Sequence, residues 1–347
     1  MAVFDAVDFD AHEGVHFFDD PKTGLKAIIA VHSTHLGPAA GGCRYWTYAS
    51  DAEALTDALR LSRGMSYKNA MAGLPVGGGK AVILKDAAKP KSEALLEAFG
   101  DAVNTLGGRY VTAEDVGISD ADMVVASRRT KFVSGLPVAG GQAGGNPGPS
   151  TAEGVFRGIR AAVRHKLGKD GFDGVHVAIQ GLGSVGYALA GKLAAAGAKL
   201  TVADIDEGRA WRAAAEFGGQ QVSVDEIMRT QADVLAPCAL GAILNERTIP
   251  QLNVAVVAGA ANNQLATAED GARVFERGIL YAPDYVINAG GIINVMAEYL
   301  GDGDADAVLA RIARIEGRLA DIFAEADSTR TPTDQVADRM AQKLIGR

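Results

Sequence analysis

Val175-His-Val-Ala-Ile-Gln180, then Gly181-Leu-Gly183-Ser184-Val185-Gly186, then Tyr187 to Ala196 follow one another without a break. They read as an apolar strand, a GxGxxG turn and an Ala/Leu-rich helix. A second apolar run, Lys199 to Ala203, ends at Asp204. Each part has a physical job. Gly181 permits a tight turn, Gly183 lets backbone approach a pyrophosphate, and Gly186 lets helix and strand pack closely. A helix opening at Ser184 and Val185 presents unpaired N–H groups and partial positive charge to phosphates. Asp204 lies 23 residues beyond Gly181, near the spacing at which an acid accepts hydrogen bonds from ribose hydroxyls. A carboxylate there repels a 2′-phosphate, so the pattern predicts NAD rather than NADP. A glycine corner that binds nothing is the alternative for the turn alone. The full order of strand, turn, helix, strand and acid outweighs it.

Outward from that stretch the chain reads as α/β throughout. On its N-terminal side, 138–149 is rich in glycine and proline and suits an interdomain hinge, and 150–165 reads as a helix. Earlier still, Val15–Phe18 and Leu25–Ser33 flank a turn at Asp20-Pro21-Lys22-Thr23-Gly24 and predict a hairpin. Apolar positions at 54, 55, 58, 59 and 61 predict a helix over 51–65, with Ser50 or Asp51 as N-cap. Residues 80–84, 92–106 and 109–112 read as strand, helix and strand. At the far end, Val336, Met340 and Leu344 share one helical face. The expected organisation is two α/β domains, an N-terminal one over 1–137 and a Rossmann-type doubly wound NAD-binding domain over 138–326.

Composition narrows the function. The 347 residues suffice for two domains, and 48% hydrophobic content suffices for two cores. A net charge of −8 argues against a general nucleic-acid surface. No apolar run reaches the length of a membrane span, and the first ten residues lack a secretory h-region, so a cytoplasmic protein is expected. Cys43 and Cys238 are too far apart in sequence for a CxxC pair and predict neither zinc nor a disulfide framework. None of the six histidines sits in a catalytic pattern.

A second glycine cluster runs Met65-Ser-Tyr-Lys68-Asn-Ala-Met-Ala-Gly-Leu-Pro-Val-Gly77-Gly-Gly-Lys80. It is not a phosphate loop, because Ala81 stands where that motif needs Ser or Thr. Lys80 sits between a glycine turn and an apolar strand. An amine at a buried strand start loses hydration, which lowers its pKa towards neutrality and suits a general base.

Gly41-Gly42-Cys43-Arg44, Met65-Ser-Tyr-Lys68 and Gly77-Gly-Gly-Lys80 together resemble the glutamate/leucine/phenylalanine/valine dehydrogenase family. The likeness continues through Thr112-Ala-Glu-Asp115, Asn146-Pro147, Thr151, Ala236–Gly241 with Ala239, Ala260-Ala-Asn262 and Tyr281–Gly291 with Asn288. The resemblance implies that Lys68 binds a substrate α-carboxylate, helped by backbone N–H groups around Gly41 and Gly42. It implies that Lys80 is the base, that Asp115 shuttles protons, and that Thr151, Asn262 and Asn288 lie beside nicotinamide or substrate. It also implies that 327–347 return to join 1–137 in a substrate domain, separated from the NAD-binding domain by a cleft, and that the protein is a homo-oligomer, dimer or octamer. The implied reaction turns an L-amino acid into a 2-oxo acid and ammonium. A non-catalytic NAD-binding protein is the remote alternative, and it would not need Lys68, Lys80 and Asp115 together.

Glutamate enzymes of the family carry a lysine immediately before the GG-x-R motif, where this chain has Ala40. A side-chain carboxylate buried there would lack a partner. The resemblance therefore implies an apolar pocket formed by Ala40, Met65, Ile292 and Val295. A branched-chain substrate such as leucine is expected, with an aromatic one such as phenylalanine as the alternative.

Overall fold

The computed structural model describes residues 3–86, 88–137, 146–301 and 304–347. Positions 138–145 of the expected hinge lie outside the described residues. Two compact units result. The first takes the described residues within 1–146, 294–306 and 341–347, and the second those within 147–293 and 307–340.

The first unit is built on a five-stranded sheet. Its strands are β1 (Gly14–Asp20), β2 (Leu25–Ser33), β3 (Ala39–Trp46), β4 (Gly77–Leu84) and β5 (Tyr110–Glu114). Their spatial order is β1-β2-β4-β3-β5. The expected hairpin is present, pairing Asp20 with Leu25. β4 runs antiparallel to β2 and parallel to β3. Helix α1 (Asp51–Met71) is capped by the Ser50 side chain, which accepts from the Glu53 N–H. It runs six residues past the expected end at 65, so Met65 and Lys68 are helical. Its buried face, Ala54, Leu55, Ala58 and Leu59, covers Ile28, Ala30 and Val82. Helices α2 (Glu93–Thr105) and α3 (Asp120–Ser127) cover the other face, around Phe99, Met123, Ile83 and Tyr110. A Cβ at Gly78 would lie 2.0 Å from the Ser66 nitrogen. Only glycine there lets α1 lie against β4.

The second unit opens with α4 (Gly148–Leu167), then alternates β6 (His176–Gln180), α5 (Ser184–Ala195), β7 (Lys199–Ala203), α6 (Glu207–Phe217) and β8 (Gln220–Gln221). β9 (Val234–Pro237), β10 (Val256–Val257), α7 (Ala268–Glu276), β11 (Leu280–Tyr281) and the short α8 (Asp284–Ile287) follow. All six strands are parallel, in the order β11-β10-β9-β6-β7-β8. The order reverses between β6 and β9, which is the switch point of a doubly wound sheet.

The division between the units differs from the sequence-based one. The chain does not return to the first unit at 327. Helix α9 (Gly290–Leu300) crosses the division at residue 294 instead, and α10 (Ala305–Thr329) lies almost wholly in the second unit. Packing explains both. Glu298 accepts hydrogen bonds from the backbone N–H groups of Gly135, at 2.6 Å, and Leu136, which ties the end of α9 to the first unit. A Cβ at Gly158 of α4 would lie 2.9 Å from a Leu319 methyl of α10, so these two helices lie close. The Arg160–Glu316 ion pair joins the same helices. Only the end of α11 (Thr333–Leu344) and the residues after it return to the first unit.

Candidate active site

In the first unit β4 carries Lys80, which is 6% exposed. Its ammonium nitrogen lies 2.6 Å from Asp115 Oδ2, just beyond β5. The same oxygen accepts from Arg44 Nε at 3.1 Å. Burial works to raise the Asp115 carboxyl, but the charge and hydrogen bond of Lys80, the charge of Arg44 and the Val116 N–H outweigh it. The group is held below the ordinary carboxylate value.

The neighbouring candidates converge on these strands. A Cβ at Gly42 would lie 2.9 Å from Asp115 Cβ, and one at Gly41 3.1 Å from Met65 Cγ. Tyr110 donates its hydroxyl to the Gly41 carbonyl at 2.6 Å, which fixes the backbone of that glycine pair. Ala40 is fully buried. Lys68 is half-buried in the last turn of α1. Beside it, Asn69 donates to the carbonyls of Gly77, at 2.6 Å, and Ala40, pinning that turn to β4 and β3. Val295 is buried within 4.0 Å of a Cβ built at Gly135, and also belongs to the first unit. Ile292 is half-buried and belongs to the second.

In the second unit Gly181 takes φ +92°, and a Cβ on it would lie 2.7 Å from Ala239 Cβ. A Cβ at Gly186 would meet the Gly181 carbonyl oxygen at 2.0 Å. Gly183, the N-cap of α5, has no atom within 4 Å of such a Cβ, so space is open in front of the helix. Ser184 is exposed and Val185 half-buried. Asp204 accepts from the N–H groups of Leu182 (2.6 Å) and Asp206 (2.9 Å), with Arg209 at 3.6 Å. Asn288 is buried and donates to Asn262 Oδ1 (2.7 Å) and to the Ala260 carbonyl (3.0 Å). Its own Oδ1 is buried without a donor. Thr151 Oγ1 donates to the Pro147 carbonyl, and would be only 2.6 Å from a Cβ at Gly291.

Two family descriptions match the chain: "Glu/Leu/Phe/Val dehydrogenase, dimerisation domain" over residues 12–132, and "Glutamate/Leucine/Phenylalanine/Valine dehydrogenase" over 206–338. Leucine dehydrogenase of Geobacillus stearothermophilus is 48% identical over 345 residues, covering 99% of this chain and 94% of that one. The chain belongs to the Glu/Leu/Phe/Val dehydrogenase family. Phenylalanine dehydrogenase of Lysinibacillus sphaericus is 45% identical over 339 residues, covering 96% and 88% of the two chains. Among solved structures, L-tryptophan dehydrogenase from Nostoc punctiforme superposes with a TM-score of 0.86 at 42% identity, covering 96% of each chain.

Dehydrogenases of this family with a Rossmann-type unit require a nicotinamide cofactor, and the residues of this family member fit one. The open space at Gly183 and the α5 N-terminus suit phosphates. The orphaned Asn288 Oδ1 is an acceptor awaiting a donor, as a carboxamide would be.

Reading the sequence missed part of the site. Arg44 counted only as a letter of the GG-x-R motif, yet it bridges Asp115 to Asp57, with Nη1 2.9 Å from Asp57 Oδ2. The available signal was an acid at position 57 inside the apolar stripe of α1. Tyr48 and Arg60 also donate to Asp57, at 2.8 and 2.9 Å. The histidines include a buried pair. His32 bonds Ser66 at 2.7 Å, and burial lowers its pKa to about 4. His12 bonds Ser62 at 3.0 Å.

Proposed function

We propose that the chain catalyses the reversible NAD-dependent oxidative deamination of leucine and related branched-chain L-amino acids to 2-oxo acids and ammonium. The observation that carries this reading is the buried Lys80–Asp115 pair, set in a chain 48% identical to a leucine dehydrogenase along almost its whole length.

Lys68 holds the substrate carboxylate by a charge-assisted contact, with backbone N–H groups around Gly41 and Gly42 assisting. A bound NAD would supply the hydride acceptor for the substrate Cα, which would become an iminium carbon. Lys80 in its free-base form then takes a proton from water as the water oxygen bonds to that carbon. Asp115 holds the Lys80 nitrogen and the substrate amine. It relays the proton from Lys80 to that amine, and Lys80 takes the proton of the new hydroxyl as the C–N bond breaks and ammonia leaves, to become ammonium in water. Hydride transfer needs the substrate Cα within reach of the nicotinamide ring with water excluded. Gly181, Gly183, Ser184, Val185, Gly186 and Ala239 hold the dinucleotide phosphates. Asp204 takes the adenosine ribose, and Thr151, Asn262 and Asn288 take the nicotinamide end.

Ala40, Met65, Ile292 and Val295 form the apolar side-chain pocket in this reading. One methylene in such a pocket changes specificity by about 1–3 kcal/mol. Phenylalanine is the second reading, favoured by the 45% identity to a phenylalanine dehydrogenase. We infer NAD over NADP from Asp204, a cytoplasmic location from the two unpaired thiols, and a homo-oligomer from the dimerisation-domain description. No helix among the described residues is long and apolar enough to cross a membrane.

Turnover of all twenty amino acids with NAD and NADP, followed by absorbance of the reduced cofactor, tests this reading. Leucine, isoleucine and valine with NAD should give the highest kcat/KM. Lys80→Ala should lower kcat by roughly 10²–10⁴-fold. Full turnover in that variant would overturn the base assignment, and a strong NADP preference would overturn the role of Asp204.

A further inference from the structure

We infer that Arg44, braced by Asp57, is the fixed cation that positions Asp115 and returns it to its anionic resting form after each proton it relays. The inference rests on the deaminase reading above and extends it to two residues to which that reading gives no contact with substrate or cofactor.

Asp115 Oδ2 accepts from two cations at once, Lys80 at 2.6 Å and Arg44 at 3.1 Å. A lysine that serves as base spends part of each cycle neutral. A half-buried carboxylate left with a neutral amine as its partner would favour taking the proton itself. That would trap the proton on the acid. Arginine stays charged throughout the working pH range, so Arg44 favours the ionised resting form of Asp115 in both states of Lys80, and a proton that Asp115 relays does not stay on it.

The guanidinium needs its own support, because a lone cation between strands would follow whichever anion pulled harder. Asp57, 9% exposed on α1, supplies it by accepting from Arg44 Nη1. Arg60 and Tyr48 complete the shell of Asp57. Arg44 thus spans two carboxylates with two different nitrogens, Nε and Nη1, which a single ammonium cannot do. The brace runs from α1 through β3 to the end of β5. The other groups near the pair are silent or distant in effect. Burial pushes up the Cys43 thiol and the Tyr110 and Tyr48 phenols, which stay protonated. Glu114, beside Asp115, is raised by burial and by Asp120 and Asp115. Lys91 and Asp122 pair with each other.

The experiment reads the pH at which deamination rises, a property of the coupled Lys80–Asp115 pair. A nearby cation eases proton release from both members, and a nearby anion opposes it. Arg44→Gln should therefore move the rising limb of kcat/KM up by about one pH unit. Asp57→Asn keeps an acceptor for Arg44 but removes a negative charge, so it should move the limb down by about half a unit. Arg44→Lys should leave the limb near that of the unmodified enzyme while lowering kcat about tenfold, with KM little changed, because the span is lost and the charge is not.

A general weakening of the fold would not move the limb in opposite directions for the two charge-removing variants. Limbs that stay put, or move the same way, overturn the inference. The acetylation rate of Lys80 by acetic anhydride against pH, read by peptide mass spectrometry, should show the same opposed shifts without needing turnover. Absence of turnover in the unmodified enzyme would count against the deaminase reading. Unopposed shifts in Lys80 acetylation would count against the Arg44 brace.

Discussion

Asp115 and Asp334 are both largely enclosed, and their neighbours drive them in opposite directions. Cations outweigh burial at Asp115, whose folded-state value is depressed. Such an acid contributes stability above its unfolded value, and that contribution is lost as pH falls through the folded one. Asp115→Asn should cost about 2 kcal/mol at neutral pH. This is below the usual cost of breaking a buried pair, because 23% of the side chain remains exposed. The Tm difference from the unmodified protein should shrink below roughly pH 4. At Asp334 burial comes first, Asp338 and Asp284 add to it, and the carboxyl rises to about 6 despite N–H donors from its own backbone and Gln335. Its Oδ1 has no partner. The folded state holds that proton more tightly, so the ionised acid costs stability from about pH 4 upward, with the full penalty above about 6. Asp334→Asn should raise Tm by about 2–4 °C at pH 8 and change it little at pH 4. Thermal scans at the two pH values check the sign. A larger gain at pH 4 would be inconsistent with this account.

At the scale of elements, the turn between β6 and α5 separates fold from ligand. Gly186 is needed by the protein itself, since a Cβ would sit 2.0 Å from the Gly181 carbonyl and push α5 off β6. Gly186→Ala should destabilise by about 1–3 kcal/mol. Gly183 faces open space. Gly183→Ala should keep the Tm and weaken NAD binding instead, seen as a higher Kd by calorimetry. Equal loss of Tm in both variants would contradict the division of roles. This turn was legible in the sequence because strand, glycines, helix and acid occur in fixed local order. β3 was not, because Ala39-Ala-Gly-Gly-Cys-Arg44 breaks the apolar run of a buried strand with two glycines. The strand is held by parallel pairing with β4 on one edge and β5 on the other, and its glycines answer the crowding there: a Cβ at Gly41 would lie 1.9 Å from the Gly79 carbonyl oxygen. β10 and β11 are two residues each, too short for any periodicity. Lys80 and Asp115 were legible as motif members. Their link through Arg44 to Asp57 was not, because it joins β3, α1 and the end of β5 across long sequence separations.

The whole molecule threads between its two units four times, at 146/147, 293/294, 306/307 and 340/341. Sequence reasoning saw only two passages, since it took the chain's return from family likeness rather than from packing. Helix α9 runs through one of the crossings as a continuous helix. Loss of the second unit would strip the first turn from a helix whose later residues Val295, Met296 and Ala297 are buried and belong to the first. The segments 294–306 and 341–347 are likewise joined along the chain to the rest of the first unit only through the second. The two units should therefore unfold together. Calorimetry should show one main transition, although an average chain of this size divides readily into separately melting domains. NAD at about 100 times its Kd should raise that single transition by the equivalent of about 2.7 kcal/mol, even though the residues proposed to hold its phosphates lie in one unit alone. Two transitions, of which NAD moves only one, would show that the crossings transmit no stability between the units, and that each unit's core is sufficient by itself.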